Sequence, residues 1–113
     1  GERARALMAR VLAIRPQWLL SDEPLANLDL SHAAALLGRF REQADRGRGV
    51  VLVLHDLAMA MNHADRVLVL EQGRVFADGP PAQALSAPNV AQVWRCTARW
   101  LGEAGEMALS VGR

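Results

Sequence analysis

The sequence predicts an α/β protein, with helices layered on a mostly parallel sheet and a hairpin toward the C-terminus. Three observations carry this. Two short apolar runs, Trp18–Ser21 and Val50–Leu54, have the length of strands buried in a sheet. Between them apolar residues recur at helical spacing, and strand, helix and strand in alternation is the pattern of a parallel sheet, here at least up to His55. Beyond His55 the elements shorten, and Gln72-Gly73 between two apolar runs reads as a hairpin turn.

In chain order, Glu2–Ile14 is rich in the strong helix formers Ala, Leu, Met and Arg, with Leu7, Val11 and Ile14 on one face and Pro16 closing the segment. Trp18–Ser21 follows as a buried strand and stops at Asp22-Glu23-Pro24. Leu25–Asp29 is expected to be a loop, with Ser31 as the cap of a helix that runs to about Asp45. Ala33, Leu36, Leu37, Phe40 and Ala44 make its apolar stripe, and Gly47 and Gly49 break it. Val50–Leu54 is the second buried strand, ending in His55-Asp56, and Leu57–Asn62 is a short helix. Arg66–Glu71 and Arg74–Ala77 flank the turn, Pro80–Leu85 and Asn89–Arg95 read as two short helices, and the tail from Thr97 is expected to pair as two strands.

Composition narrows the class. A chain of 113 residues is one domain or part of one, and half of its residues are apolar. Net charge is +1 with the signs interleaved, which is no footprint for nucleic acid, where basic residues cluster on one face. All 13 basic residues are Arg, a bias that fits a GC-rich genome. The lone Cys96 offers no disulfide framework and fits a small core residue in a reducing compartment. No apolar run approaches the roughly 20 residues of a membrane span. The Arg-rich opening lacks the apolar block of a secretory leader, so membrane association is expected only through a partner. The sequence opens at Gly1 directly into a helical pattern, which fits a piece of a longer chain.

The chemistry sits at the strand ends. In parallel α/β sheets the carboxyl ends of the strands form the ligand crevice, and both runs deliver ionisable residues there: Asp22-Glu23 and His55-Asp56. Asp22 suits Mg²⁺, an ion that takes a few carboxylates together with waters and phosphates. Glu23 is placed to orient or deprotonate an attacking water, and His55 to hydrogen-bond a terminal phosphate. An apolar run followed by Asp-Glu fits equally well a loop that simply begins there.

The order of the pieces favours the site. Gly1-Glu2-Arg3-Ala4-Arg5 resembles the end of the signature motif of ABC transporter ATPases. Trp18–Pro24 resembles their Walker B segment, Leu25–Asp29 their D-loop and Val51–Asp56 their switch-histidine segment. His63–Gly79 resembles the hairpin that follows it, so five pieces stand in the family's order. The resemblance implies a partial P-loop NTPase fold and makes residues 1–113 the C-terminal part of one ABC ATPase domain. It also implies ATP and Mg²⁺ as cofactors, with Asp22 on Mg²⁺, Glu23 polarising the hydrolytic water and His55 on the γ-phosphate. Gly1 and Glu2 would face ATP held by a second ATPase subunit, at a helix N-terminus suited to phosphate, and Asp29 would help join the two subunits. Transmembrane permease subunits, and indirectly a substrate-binding protein, are the further partners, which places the subunit peripherally on the cytoplasmic face of the cell membrane. The tail, Asp78–Leu85 and Ala87–Trp94, is similar to the ATPases of iron-siderophore, haem and vitamin B12 importers.

The departures have consequences. The signature Ser is absent, Ala26 stands where the D-loop often has Ser, and Ser21 replaces a more usual aliphatic residue. The Walker A loop needs a Lys on the phosphates, and these 113 residues contain none. By itself this polypeptide is expected neither to bind ATP tightly nor to hydrolyse it. His32 and His63 read as surface histidines, and Trp94, Trp100, Met59 and Met61 as packing residues. Two other classes compete with an importer ATPase: a non-catalytic remnant acting by pairing, and a soluble ABC ATPase working on nucleic acid or translation, which would carry inserted arms or a tandem unit.

Overall fold

The computed structural model describes residues 18–112. The opening helix expected over Glu2–Ile14, and Gly1 and Glu2 with it, lie outside the described residues. The chain divides into two compact units between His55 and Asp56.

The first unit holds β1 (Trp18–Asp22), α1 (Leu30–Asp45) and β2 (Gly49–Val53). β1 and β2 pair in parallel, in register from Trp18 opposite Gly49 to Asp22 opposite Val53. The Trp18 ring lies over Gly49 so closely that a Cβ there would strike it. Ala33, Leu36, Leu37 and Phe40 form the buried stripe of α1, and Leu36 and Phe40 pack with Leu25, Leu28, Val50 and Leu52. The helix ends where Gly47 adopts φ +87°, a left-handed conformation open to glycine at little cost.

Two expectations are corrected here. Asp29, not Ser31, caps α1: its backbone is extended and its carboxylate accepts from the His32 N–H at 2.9 Å. Ser31 already lies inside the helix, where its hydroxyl donates to the same carboxylate at 3.1 Å. The strands are also not buried on both faces. Leu19 and Ser21 are enclosed, whereas Leu20, Val51 and Val53 on the other face are 66%, 41% and 49% exposed. Only α1 packs on this pair among the described residues, whereas parallel sheets ordinarily have both faces covered.

The second unit begins with α2 (Leu57–His63), capped by Asp56, whose carboxylate accepts from the Met59 N–H at 3.1 Å. β3 (Val67–Glu71) and β4 (Arg74–Gly79) form the expected antiparallel hairpin. Both turn residues are left-handed, Gln72 at φ 51° and Gly73 at φ 75°, as the two-residue turn matching strand twist requires. Arg66 grips Asp78 with two parallel hydrogen bonds of 2.6 Å beside the open end of the hairpin. That pair holds the Asp78 carboxyl below, and the Arg66 guanidinium above, its ordinary range.

α3 (Pro81–Ala84) and α4 (Ala87–Trp94) supply Ala84 and Val90, which with Val67, Val69 and Leu85 form the core of this unit. Cys96 and Trp100 pack against it, and the Trp100 indole N–H donates to the Leu85 carbonyl at 2.7 Å. β5 (Thr97–Leu101) and β6 (Ala108–Gly112) make the expected terminal pair, antiparallel. Among the described residues parallel pairing is thus confined to the segment up to His55, and the two later strand pairs are antiparallel. Among the described residues no helix is long and apolar enough to cross a membrane.

Candidate active site

Strand alternation sets the first half of the site. Ser21 points into the packed face of β1, so Asp22, next in the pleat, is exposed at the strand's carboxyl end. The Glu23 N–H donates to the Val53 carbonyl at 2.8 Å, extending the β1–β2 ladder by one bond. The chain then leaves the strand: Glu23 has φ 50°, an uncommon conformation for a side chain of its kind. Two successive turns follow, closed by Ala26 N–H on the Glu23 carbonyl and Leu28 N–H on the Leu25 carbonyl, with Asn27 left-handed and Pro24 fully buried.

β2 supplies the second half. Two residues beyond its last member, His55 forms a hydrogen bond through Nε2 to Glu23 Oε1, across 32 residues of sequence. Both side chains remain partly exposed and open to a ligand.

The other predicted residues are disposed differently. Asp29 Oδ1 is occupied within α1, accepting from the His32 backbone, the His32 ring and Ser31. The His32 N–H, foremost, and then the His32 and Ser31 side chains hold the Asp29 carboxyl below its ordinary value. Asp56 is engaged as the α2 cap, and His32, though exposed, is tied to Asp29. Among the described residues no three His, Cys, Asp or Glu side chains cluster as a metal cage. One exposed carboxylate at a strand end still fits an ion that keeps most of its waters and shares the rest with phosphate, so Asp22 is compatible with Mg²⁺. Sequence reasoning did not find the Val53 carbonyl that anchors Glu23, because a backbone acceptor carries no residue signature.

No family model matches the chain. It is 53% identical over 94 residues to the hemin import ATP-binding protein HmuV of Rhodococcus jostii, covering 83% of this chain and 32% of that protein. The protein of the same name from Streptomyces coelicolor is 50% identical over 94 residues, covering 83% and 34%. The chain thus spans about a third of the length of these curated relatives. Among solved structures, a metal-chelate type ABC transporter in an inward-facing conformation superposes with a TM-score of 0.80 over 98% of this chain and 45% of that one. At 20% identity, that likeness is one of fold. The cbiO1 protein of Clostridium perfringens, part of the ABC transporter complex cbiONQ, matches with a TM-score of 0.60 and 28% identity, covering 74% and 34%. In sequence the chain is similar to the C-terminal part of the hemin import ATP-binding proteins, and in fold to the ATPases of ABC transporters.

Proposed function

We propose that residues 1–113 are the C-terminal part of a single ABC ATPase domain whose complete subunit hydrolyses ATP at a dimer interface to drive import of an iron-siderophore, haem or cobalamin. The observation that carries the reading is the hydrogen bond between Glu23 and His55, residues brought together from the ends of two parallel strands. A carboxylate held by an imidazole at a strand-end crevice is equipped to take a proton from water while the imidazole meets a phosphate oxygen. Glu23 is the general base and His55 the γ-phosphate contact. Asp22 would hold Mg²⁺, which supplies neutralising charge to the phosphates. Asp29 contributes to the contact with a second ATPase subunit, and Gly1 and Glu2 to the face toward that subunit's ATP.

The cargo class is supported by relatives named for hemin import and by the tail segments Asp78–Leu85 and Ala87–Trp94. Permease subunits would hold the subunit on the cytoplasmic face of the membrane, with the substrate-binding protein acting indirectly. These 113 residues contain no Lys and hence no Walker A loop, so they contribute half of a catalytic site. Among the described residues the sheet face at Leu20, Val51 and Val53 is open, which favours a part of a larger domain over a self-sufficient remnant.

The test is Glu23→Gln in the complete subunit, which keeps the shape and removes the base. Turnover is expected to fall by at least about a hundred-fold, the usual worth of general-base catalysis, while ATP binding persists. Turnover near wild type would remove Glu23 from the role.

A further inference from the structure

We infer that Pro24 is a positioning residue for Glu23, selecting the backbone conformation that turns its carboxylate to His55; the inference rests on the role given to Glu23 above. A general base works only when its oxygen is held in place, yet Glu23 stands exposed where the chain leaves β1 for a run of turns. On its N-terminal side the Val53 carbonyl accepts the Glu23 N–H at 2.8 Å. That bond fixes the peptide before Glu23 and leaves the residue's own φ and ψ open.

Three backbone regions are open to a side chain of this kind. An extended Glu23 would carry its carboxylate to the face of Leu19 and Ser21, against α1, where it would lose its water. A right-handed Glu23 would clash with the proline that follows, whose Cδ crowds the preceding N–H and Cβ. The left-handed region remains, and Glu23 takes it at φ 50°. Any other residue at position 24 would reopen the right-handed region, which a glutamate otherwise prefers.

Pro24 is itself held fast. Its ring is fully buried, although Glu23 before it is exposed and Leu25 after it partly so. It occupies the second position of the turn that the Ala26 N–H closes on the Glu23 carbonyl at 3.1 Å, where the ring's preset φ fits. Having no N–H, it leaves no donor to satisfy just past the last bond of the ladder. The restriction on Glu23 is therefore imposed from a buried anchor rather than from the exposed part of the loop.

The experiment uses the complete subunit and compares Pro24→Ala, Pro24→Val, Leu36→Val and Glu23→Gln by ATPase kinetics and urea titration. Pro24→Ala is expected to lower kcat about ten-fold, since a misplacement of about 1 Å at a catalytic group costs that much or more. KM for ATP should be unchanged, because Glu23 meets water rather than nucleotide. Pro24→Val keeps a buried apolar side chain of similar size but lifts the restriction, so its kcat should fall as far. Leu36→Val trims the core beside the same loop and should lower the urea midpoint with kcat near wild type. Wild-type kcat in Pro24→Ala beside an inactive Glu23→Gln would overturn the positioning role alone. So would a loss in Leu36→Val equal to that in Pro24→Ala, or a Pro24→Val subunit as active as wild type. Wild-type turnover in Glu23→Gln would overturn the assignment of the site, and this inference with it.

Discussion

Ser21 is the one buried polar residue of β1, 6% exposed, and its hydroxyl has no hydrogen-bond partner among the described residues. Leaving such a group unpaired costs about 1–3 kcal/mol, because water is lost and nothing replaces it. Ser21→Ala deletes that hydroxyl and little else. The void left is roughly 10 Å³, which at about 24 cal/mol per Å³ costs about 0.2 kcal/mol. The balance favours the variant by about 1 kcal/mol or more, or a rise of a few degrees in Tm for a protein of ordinary domain size. Urea titration of the complete subunit, wild type against Ser21→Ala, reads the difference directly. Asp22 lies on the opposite face of the pleat, so ATP turnover should not follow the stability change. A variant less stable than wild type by about 1 kcal/mol, the worth of a made hydrogen bond, would show that the hydroxyl is paired and refute the reasoning.

Two other perturbations test different parts of the fold. The Asp29 carboxyl is held below its ordinary 3.8 chiefly by the His32 N–H. A carboxyl depressed in the folded state contributes stability that is present above its unfolded value and fades as pH falls through the lower folded one. Asp29→Ala should therefore be the less stable protein at neutral pH, and its deficit in urea midpoint should shrink below about pH 4; a deficit that stays constant into acid would refute the cap. In the hairpin, Gln72 occupies a left-handed position that Asn adopts more readily. Gln72→Asn should stabilise by up to about 1 kcal/mol in urea titration, and a loss would argue against the turn geometry.

Local signals made most of the fold legible. The stripe from Ala33 to Phe40 announced α1, and Gln72-Gly73 announced the hairpin, because spacing and turn chemistry act within a few residues. The cap of α1 was misassigned because Asp29 and Ser31 are both good caps two positions apart. The backbone decides between them, and it is extended at Asp29 and helical at Ser31. Exposure of Leu20, Val51 and Val53 was not legible, since an apolar run identifies a strand without saying what covers each face. The hydrogen bonds of the Asn62 side chain to the Met107 backbone span 45 residues and leave no trace in either neighbourhood. Within the site, strand-end positions and resemblance singled out Glu23 and His55. That the two side chains meet could come only from the register.

That register also explains why Glu23 adopts a costly backbone. With Asp22 opposite Val53, one more residue of extended strand would put the Glu23 side chain on the face of Leu19 and Ser21, the face packed by α1. A carboxylate there would have to be buried without a partner or be neutralised, a penalty well beyond the roughly 1–3 kcal/mol of a left-handed residue. The chain keeps the ladder for one last bond, Glu23 N–H to the Val53 carbonyl, and then turns at φ 50°. The turn breaks the alternation, and the carboxylate comes to the partly exposed side where His55 receives it. A slip of one residue between β1 and β2 would exchange the faces of Ser21 and Asp22 and remove the need for the turn together with the contact. The strain at Glu23 is therefore the structural consequence of bringing a charged side chain out of a buried strand at the one position where the second strand can meet it.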